Sequence, residues 1–115
     1  LIHLLKNMLN LCHHLAYFGV HMSSLTADQV ALQLDSLPGW SLDGHSLVKT
    51  YHFKSFADAI SFMVRVAFYA EILEHYPIWE NNHTSILVRI GTADQHAVQS
   101  RDVQLAKRMQ SAFAA

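Results

Sequence analysis

The sequence predicts an α+β fold, an antiparallel sheet with helices laid against it. Three observations carry that expectation. Asp43-Gly44 stands between two strand-like runs, the strongest short-range hairpin signal in the chain. Long helical periodicities follow Ser55 and Ser100. The resulting order is helix, hairpin, helix, strand, helix, with no repeat, low-complexity tract or linker to divide the 115 residues into two domains.

Taken in order, residues 1–22 form an amphipathic N-terminal extension and residues 23–115 the domain proper. In the extension, polar residues at 3, 6, 7, 10, 13, 14 and 17 make one narrow helical stripe, and apolar residues fill the rest up to Gly19. Its expected role is packing against this domain or a sister subunit; a targeting leader is the other reading. Met22 reads as the start of the domain. Thr26 with Gln29 is a capping box opening a helix over 26–34. Pro38-Gly39 turns the chain into a strand over 40–42, and Asp43-Gly44 joins it to a second over 46–53. There Leu47, Lys49, Tyr51 and Phe53 share one face, with Lys49 interrupting the alternation.

Ser55 with Asp58 opens a long helix carrying Phe56, Ala59, Ile60, Met63, Ala67 and Ala70 at helical spacing, widened by Phe62, Val66 and Leu73. It is expected to stop near His75, because Pro77 disfavours the helical conformation at Tyr76. Residues 84–90 form a third strand. Ser100 is the expected cap of a last helix burying Val103, Ala106, Met109 and Phe113. Three strands leave open edges, which pairing with another copy would close.

Composition excludes several classes. Half the chain (51%) is hydrophobic and 15% is charged, which argues against general disorder. Eight Lys+Arg against nine Asp+Glu give no basic excess for direct nucleic-acid binding. Polar residues interrupt the opening segment before it reaches the about 18 apolar residues of a membrane span. Cys12 is the only cysteine, so neither an internal disulfide nor a cysteine zinc cage can form; it is compatible with a reducing cytoplasm.

The chemistry is concentrated in residues 71–79, Glu-Ile-Leu-Glu-His-Tyr-Pro-Ile-Trp. Here His75 meets irregular chain at the end of the long helix. Imidazole exchanges protons near neutrality, and Tyr76 and Trp79 supply flat faces for an aromatic ligand. No Gly-rich phosphate loop, nucleophile elbow or His-Glu-x-x-His helix is present.

The run Tyr51-His52-Phe53-Lys54-Ser55-Phe56, then Ala59, Phe62, Val66-Ala67, Ala70-Glu71, His75-x-Pro77-x-Trp79 and Ser100-Arg101-Asp102, with Gly39-Trp40 upstream, resembles the pterin-4a-carbinolamine dehydratase family. In animals that family doubles as a dimerisation cofactor for a homeodomain transcription factor. The resemblance covers roughly residues 23 to 114. It implies about four antiparallel strands backed on one side by helices, dimers pairing into tetramers, a cytoplasmic or nuclear setting, and a lyase needing no cofactor and no metal. The implied reaction expels water from a 4a-hydroxytetrahydropterin, giving one proton to the departing hydroxyl and taking one from a ring nitrogen. By the same resemblance His75 and Tyr76 stand at catalytic positions, and Glu71, Pro77, Trp79 and Asp102 at substrate-binding ones.

The family pattern departs at three places. Tyr76 replaces a second histidine (or asparagine), His83 an aromatic residue, and Ala93 a third histidine. A tyrosine hydroxyl donates a hydrogen bond but is a poor base at neutral pH, so reduced turnover is expected. A helical turn over 93–97 would bring His96 onto the face of Ala93 and restore a third catalytic group. The alternatives are a family member serving as an oligomerisation, assembly or transcription cofactor, and a metal binder using His75, His83 and His96. For the latter, no two histidines have the i, i+4 spacing of a zinc helix.

Overall fold

Two β-hairpins separated by a long helix organise the chain. In the computed structural model, residues 24–92 and 94–115 are described; the expected helix within 1–22 and the position of Ala93 lie outside them. The elements are α1 (Ala27–Leu34), β1 (Ser41–Asp43), β2 (Ser46–His52), α2 (Phe56–Leu73), β3 (Ile78–Asn82), β4 (Ser85–Ile90) and α3 (Ser100–Ala114). The strands form one sheet in the order β1-β2-β4-β3, every neighbouring pair antiparallel. The fold is α+β, with one strand more than the three read from hydrophobic alternation. That fourth strand is β3, in the stretch expected to be a loop.

Register explains which face is buried. Leu47 pairs with Ile90, Tyr51 with Ile86, and Trp79 with Val88, so these side chains share the face that meets the helices. Leu47, Ile86, Val88 and Ile90 are fully buried, with Phe62 and Val66 of α2 and Leu105 and Met109 of α3 above them. Each such side chain contributes about 1.5–3 kcal/mol of transfer free energy. The opposite face carries Thr50, His52 and Leu87, all exposed.

Lys49 sits on the inner face without placing its charge in the core. Its stem crosses the Tyr51 ring, with Nζ 4.5 Å from the centroid, and Nζ donates to the Pro38 carbonyl at 2.6 Å and to Gln110 Oε1 at 2.7 Å. The same Oε1 accepts from the Tyr51 hydroxyl and from Trp40 Nε1, so one amide oxygen gathers three donors. Burial pushes the Tyr51 hydroxyl well above the usual phenol range, and partial desolvation lowers the Lys49 ammonium.

Several local expectations are corrected. The buried line of α2 is Ala59, Phe62, Val66 and Ala70. Phe56 and Ile60 face outward with Val64, Phe68 and Ile72 in a row at i, i+4 spacing. The last helix is preceded by Gln99 as N-cap rather than capped by Ser100. Phe113 is 42% exposed, although its ring centroid lies 4.9 Å from that of Tyr51, the rings tilted by 47°; Ala112 takes the buried position beside it. Trp40 is buried just ahead of β1 rather than inside it. The expected capping boxes at Thr26 and the serine cap at Ser55 are present. Among the described residues, no helix is long and apolar enough to cross a membrane.

Candidate functional site

The end of α2 sets the position of the central histidine. Glu74 adopts the left-handed conformation at φ 51°, a geometry usually given to glycine at this place. Its N–H donates to the Glu71 carbonyl at 3.2 Å, and the His75 N–H reaches back to the Ala70 carbonyl at 3.1 Å. This closes the helix in a Schellman-type turn and throws His75 off the helix axis toward the start of α3.

There it meets Asp102. Nε2 of His75 lies 2.5 Å from Asp102 Oδ1, across 27 positions of sequence. Asp102 is in the first turn of α3 and its side chain is fully buried, whereas the His75 side chain keeps 20% of its surface exposed. The second carboxylate oxygen accepts from the Gln99 N–H at 2.8 Å and from Gln95 Nε2 at 3.0 Å. One acid therefore caps its own helix and holds an imidazole. Because Asp102 Oδ1 is the acceptor, the neutral imidazole is assigned as protonated at Nε2, leaving the Nδ1 lone pair for a ligand.

The other expected site residues are arranged unequally around this pair. Glu71 is exposed in the last turn of α2, and Pro77 is half-buried in the segment leading into β3. Trp79 is half-buried on β3 opposite Val88. Tyr76, next to His75, is 58% exposed. His96 is exposed, and residues 94–97 form a turn and bends, closed by the Gln95 N–H to Thr92 carbonyl bond at 3.2 Å. No helix forms over the described residues 94–97, and the helical turn expected over 93–97 includes Ala93, which lies outside them. His83 occupies the two-residue loop between β3 and β4 with φ 55°. Among the described residues no three histidine, cysteine or acidic side chains converge, so the reading of His75, His83 and His96 as one metal cluster gains no support.

Among the described residues, two clefts flank the fold. One of about 340 Å3 is lined by Trp79 and Ile78 with Val48, Glu80, Leu87 and Arg89. The other, about 500 Å3, lies at the far end of the sheet between Phe53, Lys54, Asp58, Arg65 and Phe113. His75 lines neither.

Gln95 is the site residue that sequence reasoning missed. No motif flags it, and it follows Ala93 and Asp94 in a stretch without periodicity. Its only sequence signal is Gly91 four residues earlier, whose meaning appears once the loop is folded.

The chain can now be set beside known proteins. Residues 23–112 match the family model described as pterin 4 alpha carbinolamine dehydratase. A protein of Opitutus terrae, assigned provisionally by name to pterin-4-alpha-carbinolamine dehydratase, is 44% identical over 87 residues, covering 75% of this chain and 90% of that protein. One from Prochlorococcus marinus strain MIT 9313 with the same name is 36% identical over 83 residues, covering 72% of this chain and 86% of that protein. The crystal structure of a transcriptional coactivator/pterin dehydratase from Brucella melitensis superposes with a TM-score of 0.72 at 32% identity, covering 78% of this chain and 98% of that one. With the family model spanning the whole sheet and all but the last two residues of its helices, this chain belongs to the pterin-4-alpha-carbinolamine dehydratase family.

Proposed function

We propose that the protein dehydrates a 4a-hydroxytetrahydropterin to the quinonoid dihydropterin, with His75 as the proton-transfer group. The observation that carries this is the His75–Asp102 pair: a partly exposed imidazole whose Nε2 is held by a buried carboxylate. In the reaction the C4a–O bond breaks and the hydroxyl leaves as water. Nδ1 of His75 takes the proton from the ring nitrogen and returns one to the leaving oxygen, so a single imidazole serves both ends. Tyr76 donates a hydrogen bond to the departing hydroxyl, Trp79 and Pro77 present flat apolar surface to the heterocycle, and Glu71 accepts from its amino groups. His96, exposed in its turn, is given no role in this reading.

The test is a dehydration assay on the purified full chain against the spontaneous reaction, followed by the absorbance of the quinonoid product. Acceleration well above background is expected, and Tyr76→His is expected to raise it by restoring a second base. A wild-type rate equal to background would overturn the dehydratase reading and leave an assembly role.

We also propose that copies of the chain associate through the exposed row Phe56, Ile60, Val64, Phe68 and Ile72 of α2. Five large or branched apolar side chains at i, i+4 spacing form a ridge suited to interdigitate with its own copy. Val64→Glu with Phe68→Glu is expected to convert the oligomer to monomer in sedimentation velocity while leaving the melting curve cooperative. An unchanged mass would place the interface elsewhere. An unpaired ridge of this kind also suits a protein partner, a second role favoured by the coactivator name of the Brucella melitensis neighbour.

A further inference from the structure

We infer that Gln95 is a positioning residue for His75, acting through Asp102; the inference rests on the reading of His75 as the proton-transfer group. Gln95 does not touch the imidazole. Its Nε2 donates one hydrogen to Asp102 Oδ2 at 3.0 Å and the other to the His45 carbonyl at 2.6 Å, in the turn between β1 and β2. Both hydrogens of the amide nitrogen are therefore committed, and the side chain bridges the first hairpin to the first turn of α3.

What the bridge does follows from the carboxylate's geometry. An aspartate side chain rotates about a broad, two-fold torsion. A single donor, the Gln99 N–H, would leave that rotation loosely fixed. The second donor on the same oxygen sets the plane of the carboxylate, and Oδ1 is then directed at His75 Nε2. A hydrogen bond to one ring nitrogen selects which tautomer the neutral imidazole adopts. Gln95 thus decides, from two residues away in the bonding chain, that the lone pair for the ligand is on Nδ1.

The loop is shaped to admit this amide. Gly91 follows β4 at φ +95°, and a Cβ built there would stand 2.4 Å from Gln95 Nε2. Only a residue without a side chain leaves the amide its place. The Gln95 N–H is fixed in turn by the Thr92 carbonyl. Backbone and side chain of Gln95 are both pinned, although residues 94–98 form neither helix nor strand.

Nitrogen-15 NMR of the histidine rings in the full chain, measured where imidazole is neutral and assigned by comparison with His75→Ala, provides the test. Wild-type His75 is expected to show a single Nε2–H tautomer. Gln95→Met, similar in length but without donors, is expected to show a mixture of both tautomers, with a fall in kcat of about tenfold, the scale typical of outer-shell partners, and an unchanged KM. Gln95→Asn keeps an amide but is one methylene too short to span His45 and Asp102, and is expected to behave as Gln95→Met does. A His75 tautomer identical in wild type and both variants would overturn the inference. The spectra need no turnover, so a chain without dehydratase activity would sink the proposed reaction while leaving the positioning role decided by NMR.

Discussion

Replacing His75 by alanine is expected to lower the dehydration rate by about 10²–10⁴-fold, the range for loss of a general acid–base group. The expectation depends on His75 carrying both proton movements. In the proposed reaction Tyr76 only donates a hydrogen bond, and His96 stands exposed in its turn. Stability changes little by comparison. The variant gives up one hydrogen bond to Asp102 and some half-buried ring surface, and about 1 kcal/mol is expected from urea unfolding. The measurement is kcat on the folded variant against wild type. Turnover within threefold of wild type would remove His75 from the mechanism.

Asp102→Ala is expected to act on both quantities at once. The side chain is fully buried and partners the Gln99 N–H, the Gln95 amide and the His75 ring. Its removal takes the acceptor from the first turn of α3 and leaves buried donors unpaired. Together these cost about 2–4 kcal/mol. Activity should fall at least as far as that of an enzyme whose imidazole is present but unheld, about 10–100-fold. Denaturant unfolding and the dehydration assay, run on the same preparation, separate the two effects. An Asp102→Ala protein as stable as wild type would mean that water replaces the carboxylate on all its donors.

Much of the fold was legible because local chemistry and tertiary structure agree. Asp43-Gly44, the Thr26–Gln29 box and the Ser55 cap act over three or four residues, and each forms as written. β3 was not legible. Trp79-Glu80-Asn81-Asn82 carries two asparagines with poor strand preference and no apolar alternation, and it becomes a strand by pairing with β4 at the sheet edge. The inward face of α2 was hidden for the opposite reason. The helix is apolar on two sides, and periodicity cannot say which of them meets the sheet. Its termination looked like the work of Pro77, yet the stop is made three residues earlier by a left-handed Glu74 that no glycine announces.

The site divides in the same way. His75 stood out as an imidazole at a helix end, and its neighbours Tyr76, Pro77 and Trp79 came with it. Asp102 entered through resemblance alone, because contact across 27 positions leaves no trace in spacing. Gln95 was silent in the sequence, since its two acceptors lie in a different hairpin and a different helix.

Asp102 serves two masters, a helix that must begin and a ring that must be held. A descendant that abandoned chemistry would still need the first duty performed, so the acid could outlive the reaction by a long interval. His75 has no such second employment. On the proposed reaction, the imidazole rather than the aspartate is therefore the marker that separates a working enzyme from a retired one.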